Sequence, residues 1–257
     1  MKSAERGPGG APTIVFIHGG GIPGWMWEPV VDQLPEFHIL VPDLPGHGES
    51  QGQHWESIGA TAALLGELIR GRATGGRAHV VGISLGGQLT LQLLATAPQL
   101  IDRAVVSGTL TRPMPAAGFL AWLTRVSLPW SRGDWMIRAN AWGIGIPAQY
   151  LDRFRRTIAE TDAAELGRVL TDSLRFQLPP IADGHDLLVA AGRKEAGLIY
   201  GSARHLAVTV PGVTLRMAPV GGHVWAIQTP DLFARMVRAW VSQEPLPAEL
   251  LSFPSGS

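Results

Sequence analysis

A serine, a carboxylate and a histidine, far apart along the chain, are the residues whose types and surroundings could do chemistry. Ser84 stands in Gly82-Ile83-Ser84-Leu85-Gly86, between the apolar run Ala78 to Val81 and an apolar helical pattern from Gln88 to Leu94. A serine hydroxyl is a weak nucleophile at neutral pH. It becomes effective when a sharp strand-to-helix turn holds it out beside a base and a set of oxyanion donors. That turn brings neighbouring backbone close, and Gly82 and Gly86 leave room for it, while Gly87 lets the following helix pack tightly. In a chain with 32 glycines the pentapeptide alone is weak evidence, and a Gly-rich β–α turn of any parallel-sheet protein is the plainer reading beside it. The decision rests on what else the chain brings to the same place.

Six short apolar runs supply the positioning elements: Thr13 to Ile17, His38 to Val41, 78–82, Arg103 to Ser107, Leu187 to Ala191 and Thr214 to Met217. The β-branched run Thr13 to Ile17 is typical of a strand buried on both faces. Helical spacing lies between the runs, around Met26 to Leu34, from Ile58 to Arg70, after the elbow, and from Asp231 to Val241. The alternation predicts an α/β fold with a doubly wound, mostly parallel sheet of about six strands and right-handed crossovers. Ligands bind beyond the carboxyl ends of such strands. The residues there are, in order, His18-Gly19-Gly20-Gly21, Asp43 in the loop DLPGHGES, Ser84, Ser107-Gly108-Thr109, Gly192-Arg193-Lys194-Glu195 and Gly221-Gly222-His223. A nucleophile, a carboxylate and a histidine thus converge on one rim. For each of the latter two a plainer reading stands beside this one: Glu195 as a solvated loop acid and His223 as a surface-loop histidine.

Between Thr109 and Ile181 the alternation stops. Trp122, Trp130, Trp135 and Trp142, several prolines and two helical patterns (151–159 and 163–176) occupy the stretch. The expected organisation is a core of 1–108 and 182–244, a helical cap insertion of 109–181, and a loosely held tail of 245–257. The cap tryptophans fit either an apolar substrate pocket or ordinary core between cap and sheet.

The segments VFIHGGG, VPDLPGHGES, VVGISLGG, LLVAAGRKE and GGHVWAIQTPDLF, spanning the chain nearly end to end, resemble those of the α/β-hydrolases. The resemblance implies Ser84 as nucleophile, His223 as base and Glu195 as the acid that orients it. Most relatives carry Asp where this chain has Glu195, but its separation from His223 is usual in the family, and Asp186 lies before its strand, at the wrong end of the sheet. The resemblance also implies an oxyanion hole of two backbone N–H groups, from Leu85 and from the HGGG loop, where Gly20 is expected and Gly19 or Gly21 is possible. His18, Gly21, Trp25 and Trp225 are expected to line the substrate site, His18 and His47 in structural or lining roles. A serine at this position argues against dehalogenases and epoxide hydrolases of the family, which use Asp. Room for the two strands that commonly precede HGGG is lacking in residues 1–11. A carboxylesterase of small to medium apolar esters is expected. A C–C hydrolase or a lyase of the hydroxynitrile-lyase kind, and a non-catalytic small-molecule receptor, are the other classes open to this fold.

Gly19-Gly20-Gly21-Ile22-Pro23-Gly24 also reads as a dinucleotide-binding G-x-G-x-x-G, with Asp43 at a suitable distance beyond. Against it, Pro23 removes an N–H from the loop, and Trp25 and Trp27 crowd the place of a pyrophosphate. No cofactor is implied, and the histidines do not fall at zinc-ligand spacing. Zero net charge excludes a generally basic nucleic-acid binder. The first twelve residues lack the apolar stretch of a secretory signal, and no apolar run is long enough to span a bilayer. A cytoplasmic protein acting on a small-molecule ester is the expectation. The absence of cysteine removes thiol chemistry, and oligomeric state is not readable.

Overall fold

Each of the six apolar runs forms a strand, and a seventh strand precedes them. The computed structural model describes residues 1–127 and 133–253; Trp130 and the last four residues of the tail lie outside the described residues. The strands are β1 (Ser3–Arg6), β2 (Thr13–Ile17), β3 (His38–Pro42), β4 (Ala78–Ile83), β5 (Ile101–Ser107), β6 (Leu187–Gly192) and β7 (Thr214–Ala218). They lie in the order β1-β3-β2-β4-β5-β6-β7. All neighbours are parallel except β1, which pairs antiparallel with β3, Ser3 opposite Pro42 and Arg6 opposite Ile39. The expectation that residues 1–11 have no room for a preceding strand is therefore corrected, since one is present. A four-residue, largely exposed edge strand needs no apolar run, since only its backbone pairs.

The strand β2 shows why these runs read as continuous hydrophobics. Ile14 and Phe16 point into one apolar layer, with Trp27, Phe233 and Val237. Val15 and Ile17 point into the other, with Leu65, Leu89 and Leu206. Helices α1 (Glu28–Val31), α9 (Trp225–Gln228) and α10 (Pro230–Val241) cover the first face, and α2 (Ile58–Arg72), α3 (Leu85–Thr96) and α8 (Gly197–Thr209) the second. The Ser57 hydroxyl caps α2 by accepting the Ala60 N–H.

Among the described residues four α-helices intervene between β5 and β6: α4 (Ala117–Ser127), α5 (Asp134–Ile144), α6 (Leu151–Glu160) and α7 (Ala163–Arg175). They are tied to the sheet side at several points. Asp172 accepts the Trp55 indole N–H at 3.2 Å and the Ile58 N–H at 2.6 Å. Arg153 pairs with Glu28, and Trp25 Nε1 donates to Thr157 Oγ1 at 3.0 Å. The described part of the tail is not loose: Leu251 and Met217 exchange two backbone hydrogen bonds, and Phe253 packs edge-on against Tyr200. Among the described residues no helix is long and apolar enough to cross a membrane.

Candidate active site

Strand β4 ends at Ile83 and α3 begins at Leu85, so Ser84 alone makes the turn, at φ 54° and ψ −115°. A non-glycine residue adopts that backbone only when its surroundings hold it there. Two hydrogen bonds do so: Ser84 N–H to the Ser107 carbonyl at 2.8 Å and Gln88 N–H to the Ser84 carbonyl at 3.1 Å. The flanking glycines are required by contact. A Cβ on Gly82 would collide with the Gly86 carbonyl, and one on Gly86 with the Ile17 carbonyl. The pentapeptide is thus a crossing of three backbones with no space for side chains.

The loops after β6 and β7 bring Glu195 and His223 together. Lys194 N–H donates to the Gly221 carbonyl at 2.8 Å, which locks one loop to the other. The Glu195 side chain is 2% exposed, and its Oε1 accepts from His223 Nδ1 at 2.7 Å. With the proton on Nδ1, His223 Nε2 is left as the acceptor. Gly108, at φ 60°, forms the floor beneath the pair: a Cβ there would lie 3.1 Å from His223 Nδ1 and 3.5 Å from Glu195 Oε2. Because Ser107, whose carbonyl holds the Ser84 N–H, directly precedes Gly108, the backbone of the elbow and the Glu195–His223 pair both adjoin the end of β5. Asp186, by contrast, pairs with Arg103 at 2.7 Å, at the start of β6. Among the described residues the Ser84 hydroxyl makes no hydrogen bond, to His223 or otherwise. Contacts of this kind are often long without substrate and tighten when it binds.

The HGGG loop is held by two buried imidazoles. His18 Nε2 accepts the Leu44 N–H at 3.0 Å, so its proton sits on Nδ1 and is donated to the Gly19 carbonyl at 2.8 Å. His47 repeats the arrangement, accepting the Gly21 N–H at 3.0 Å and donating to the Pro45 carbonyl. Burial, reinforced by neighbouring His47, pushes His18 down to about 3, and burial lowers His47 as well. Both rings therefore act as neutral donor–acceptor struts joining this loop to DLPGHGES. Asp43 completes the joint by accepting the N–H groups of Gly24 and Glu49.

These contacts sort the loop's residues. The N–H of Gly21 is committed to His47, which removes it as an oxyanion donor. Gly20 N–H and Leu85 N–H, the latter at the first position of α3, make no hydrogen bond to another described residue. Gly20 and Leu85 also adjoin, since a Cβ on Gly20 would lie 3.9 Å from Leu85 Cδ2, while Gly19 backs onto Ser84 Cβ.

Two expected lining residues are not at the surface of any cavity. His18 is fully buried for the reason just given. Trp225 is fully buried too, its indole N–H donating to Ser107 Oγ at 2.9 Å and its ring tilted against Phe233. Trp25 borders a hollow of about 680 Å³ with Arg153 and Asp43, which contains neither Ser84 nor His223. The cleft that does hold Glu195 and His223, about 840 Å³, is lined by Leu110, Met114, Trp142 and Leu198 among others, with Lys194 at its edge. Reading the sequence missed Gln228, which accepts the Gly222 N–H at 3.0 Å and donates to the Gly145 carbonyl at 2.6 Å. It ties the histidine loop to the end of α5. A lone amide in the apolar run Val224 to Ile227 and beyond was its only signal.

Sheet order, elbow and the paired imidazole and carboxylate define an α/β-hydrolase. The model of the alpha/beta hydrolase family matches residues 14–236, and the chain belongs to that family. An AB hydrolase superfamily protein of Gibberella zeae is 31% identical over 95% of this chain and 84% of its own length. A pimeloyl-[acyl-carrier protein] methyl ester esterase of Nitrosomonas europaea is 24% identical, covering 88% of this chain and 94% of the relative. Among solved structures, the enol-lactonase of Burkholderia xenovorans LB400 superposes with a TM-score of 0.79 at 22% identity, over 94% of this chain and 96% of that one. A thermophilic esterase from Thermogutta terrifontis gives 0.77 at 20%, over 94% and 93%. At these identities the structures attest a shared fold; the family and its esterase-named members make the chain a hydrolase.

Proposed function

We propose that the chain is a serine esterase that cleaves small to medium apolar carboxylic esters through an acyl-enzyme. Ser84 Oγ attacks the ester carbonyl while His223 Nε2 takes its proton. Glu195 holds the imidazole in the required tautomer and stabilises the imidazolium. The carbonyl oxygen, now an oxyanion, is held by the N–H groups of Leu85 and Gly20, each contributing roughly 3 kcal/mol to lowering the barrier. The tetrahedral intermediate collapses, His223 returns the proton to the departing alcohol oxygen, and water, deprotonated by the same imidazole, releases the carboxylic acid. Residues 109–181 serve as the cap that walls the cleft.

The observation that carries the reading is the 2.7 Å bond from buried Glu195 to His223, set over Gly108 beside the strained elbow of Ser84. The apolar lining by Leu110, Met114, Trp142 and Leu198 supports an apolar acyl or alcohol group, and the relatives described as esterases support ester cleavage. The test is labelling with a fluorophosphonate, read by intact mass, beside a panel of p-nitrophenyl esters. One adduct is expected on the folded protein and none on Ser84→Ala, which should also lose ester turnover by about 10⁴-fold or more. A folded protein that takes no label would return the chain to the class of non-catalytic receptors.

A further inference from the structure

The helix α4 turns its hydrophobic stripe away from the protein. Phe119, Trp122, Leu123 and Val126 recur at the i, i+3, i+4, i+7 spacing of one helix face, the face that normally seeks the core. Here all four are exposed, Trp122 by 54%, and Phe119 and Trp122 stack on one another with centroids 5.8 Å apart. On α5, Trp135 and Trp142, again on one face seven residues apart, are 71% and 86% exposed. Met114, in the segment leading into α4, and Trp142 line the same cleft as His223, whereas Trp122 itself lines a separate groove with Asp172 and Arg175. Exposed aromatic area of this kind marks a surface that docks on something.

Charge decides the occupant. The whole chain is neutral, but from Arg112 to Gly133 the sequence carries three arginines and no acidic residue. Arg175, exposed at the end of α7 and adjoining Gly118, makes no ion pair among the described residues. Two acids, Glu56 and Asp172, share a groove with Trp122, and Asp172 is already engaged by Trp55 and Ile58. A second copy of the chain would set this arginine-bearing, acid-free segment against itself, which a self-complementary interface disfavours. Tryptophan and phenylalanine on one face with arginine nearby is the composition that lies flat in the boundary layer of a bilayer whose headgroups are anionic.

We propose that the α4 face, extended by the exposed tryptophans of α5, is a docking surface for an anionic lipid surface, on which the cleft opens at the level of the headgroups. This stands apart from the catalytic reading, because binding needs none of Ser84, Glu195 or His223. The test is co-sedimentation of the full chain with vesicles of phosphatidylcholine alone or with about 30% phosphatidylglycerol. Binding to the anionic vesicles is expected to exceed that to neutral ones by about tenfold, and about 0.5 M salt should release most of it. The double substitution Phe119→Ser with Trp122→Ser should weaken binding by at least about tenfold at an unchanged thermal midpoint. Equal sedimentation with and without the anionic lipid overturns the proposal, as does undiminished binding of the double variant. A dimer in light scattering that the double substitution dissolves, in place of vesicle binding, would give the stripe to a second copy and overturn it equally.

Discussion

Six of the nine tryptophans fall into two groups with opposite fates. Trp27, Trp55 and Trp225, on the sheet side of the molecule, are fully buried, while Trp122, Trp135 and Trp142, on α4 and α5, are more than half exposed. The indole is the same; the surroundings are not. Burial of an indole removes a large apolar area from water but strands its N–H unless a partner is at hand. Trp225 finds Ser107 Oγ and Trp55 finds Asp172, whereas Trp27 Nε1 has no partner among the described residues. The helices between β5 and β6 spend their inward faces on anchors: Ile137 and Ala141 on α5, Phe154 and Ile158 on α6. Their aromatic faces are left outward. One side of the molecule is therefore built for precision, and the other for contact.

The contrast fails if a change on the rim is cheap or one on α4 or α5 is expensive. The largest effect is expected at Glu195→Gln, because an amide can present its N–H to Nδ1 and hold the wrong tautomer. Turnover should fall by about 10³–10⁴-fold while the thermal midpoint holds. Near-normal turnover would move the orienting role elsewhere. Trp225→Ala should cost about 3–5 kcal/mol in urea unfolding, since it opens a cavity and leaves Ser107 Oγ without its donor.

Acid should act on the HGGG loop next. His18 titrates at about 3 in the folded chain against 6.5 for an ordinary histidine. Above 6.5 both folded and unfolded chains carry a neutral His18, and its stabilisation is complete. Between 6.5 and about 3 the unfolded chain binds a proton that the folded one refuses, so stability falls as pH falls. An NMR titration that found the His18 ring protonating near 6.5 would show the struts to be wet. Trp27→Phe should change stability by only about 1 kcal/mol, because the indole N–H it removes has no partner to lose. Trp142→Ala should stay within about 0.5 kcal/mol of wild type, the ordinary range for an exposed position.

Much of the rim was legible before any coordinates. All six strand-end segments carry chemistry or glycine at the point where a parallel sheet exposes its ligand side. Four helices were not legible, the single turn of α9 among them. The pattern of α8 begins at Gly197 and is diluted by small and polar residues, and those of α4 and α5 could not be told from core because their stripes face water. Trp225 was misplaced for the opposite reason: it sits next to His223 in sequence, yet the first turn of α9 directs it under the sheet rather than into the cleft.

What the sequence by itself determined was local: the runs that must be buried on both faces, the elbow with glycines on either side of Ser84, the turns after each strand. These follow from sterics and burial among near neighbours, and residue types a few positions apart are enough to state them. Only the tertiary structure decided that Glu195 meets His223 above Gly108, that Gly21 gives its N–H to His47 and leaves Gly20 free, that four exposed residues suffice for an edge strand, and which tryptophans are dry. Those outcomes depend on which distant backbone stands within 3 Å or so of a given donor, a matter settled by packing across the whole sheet.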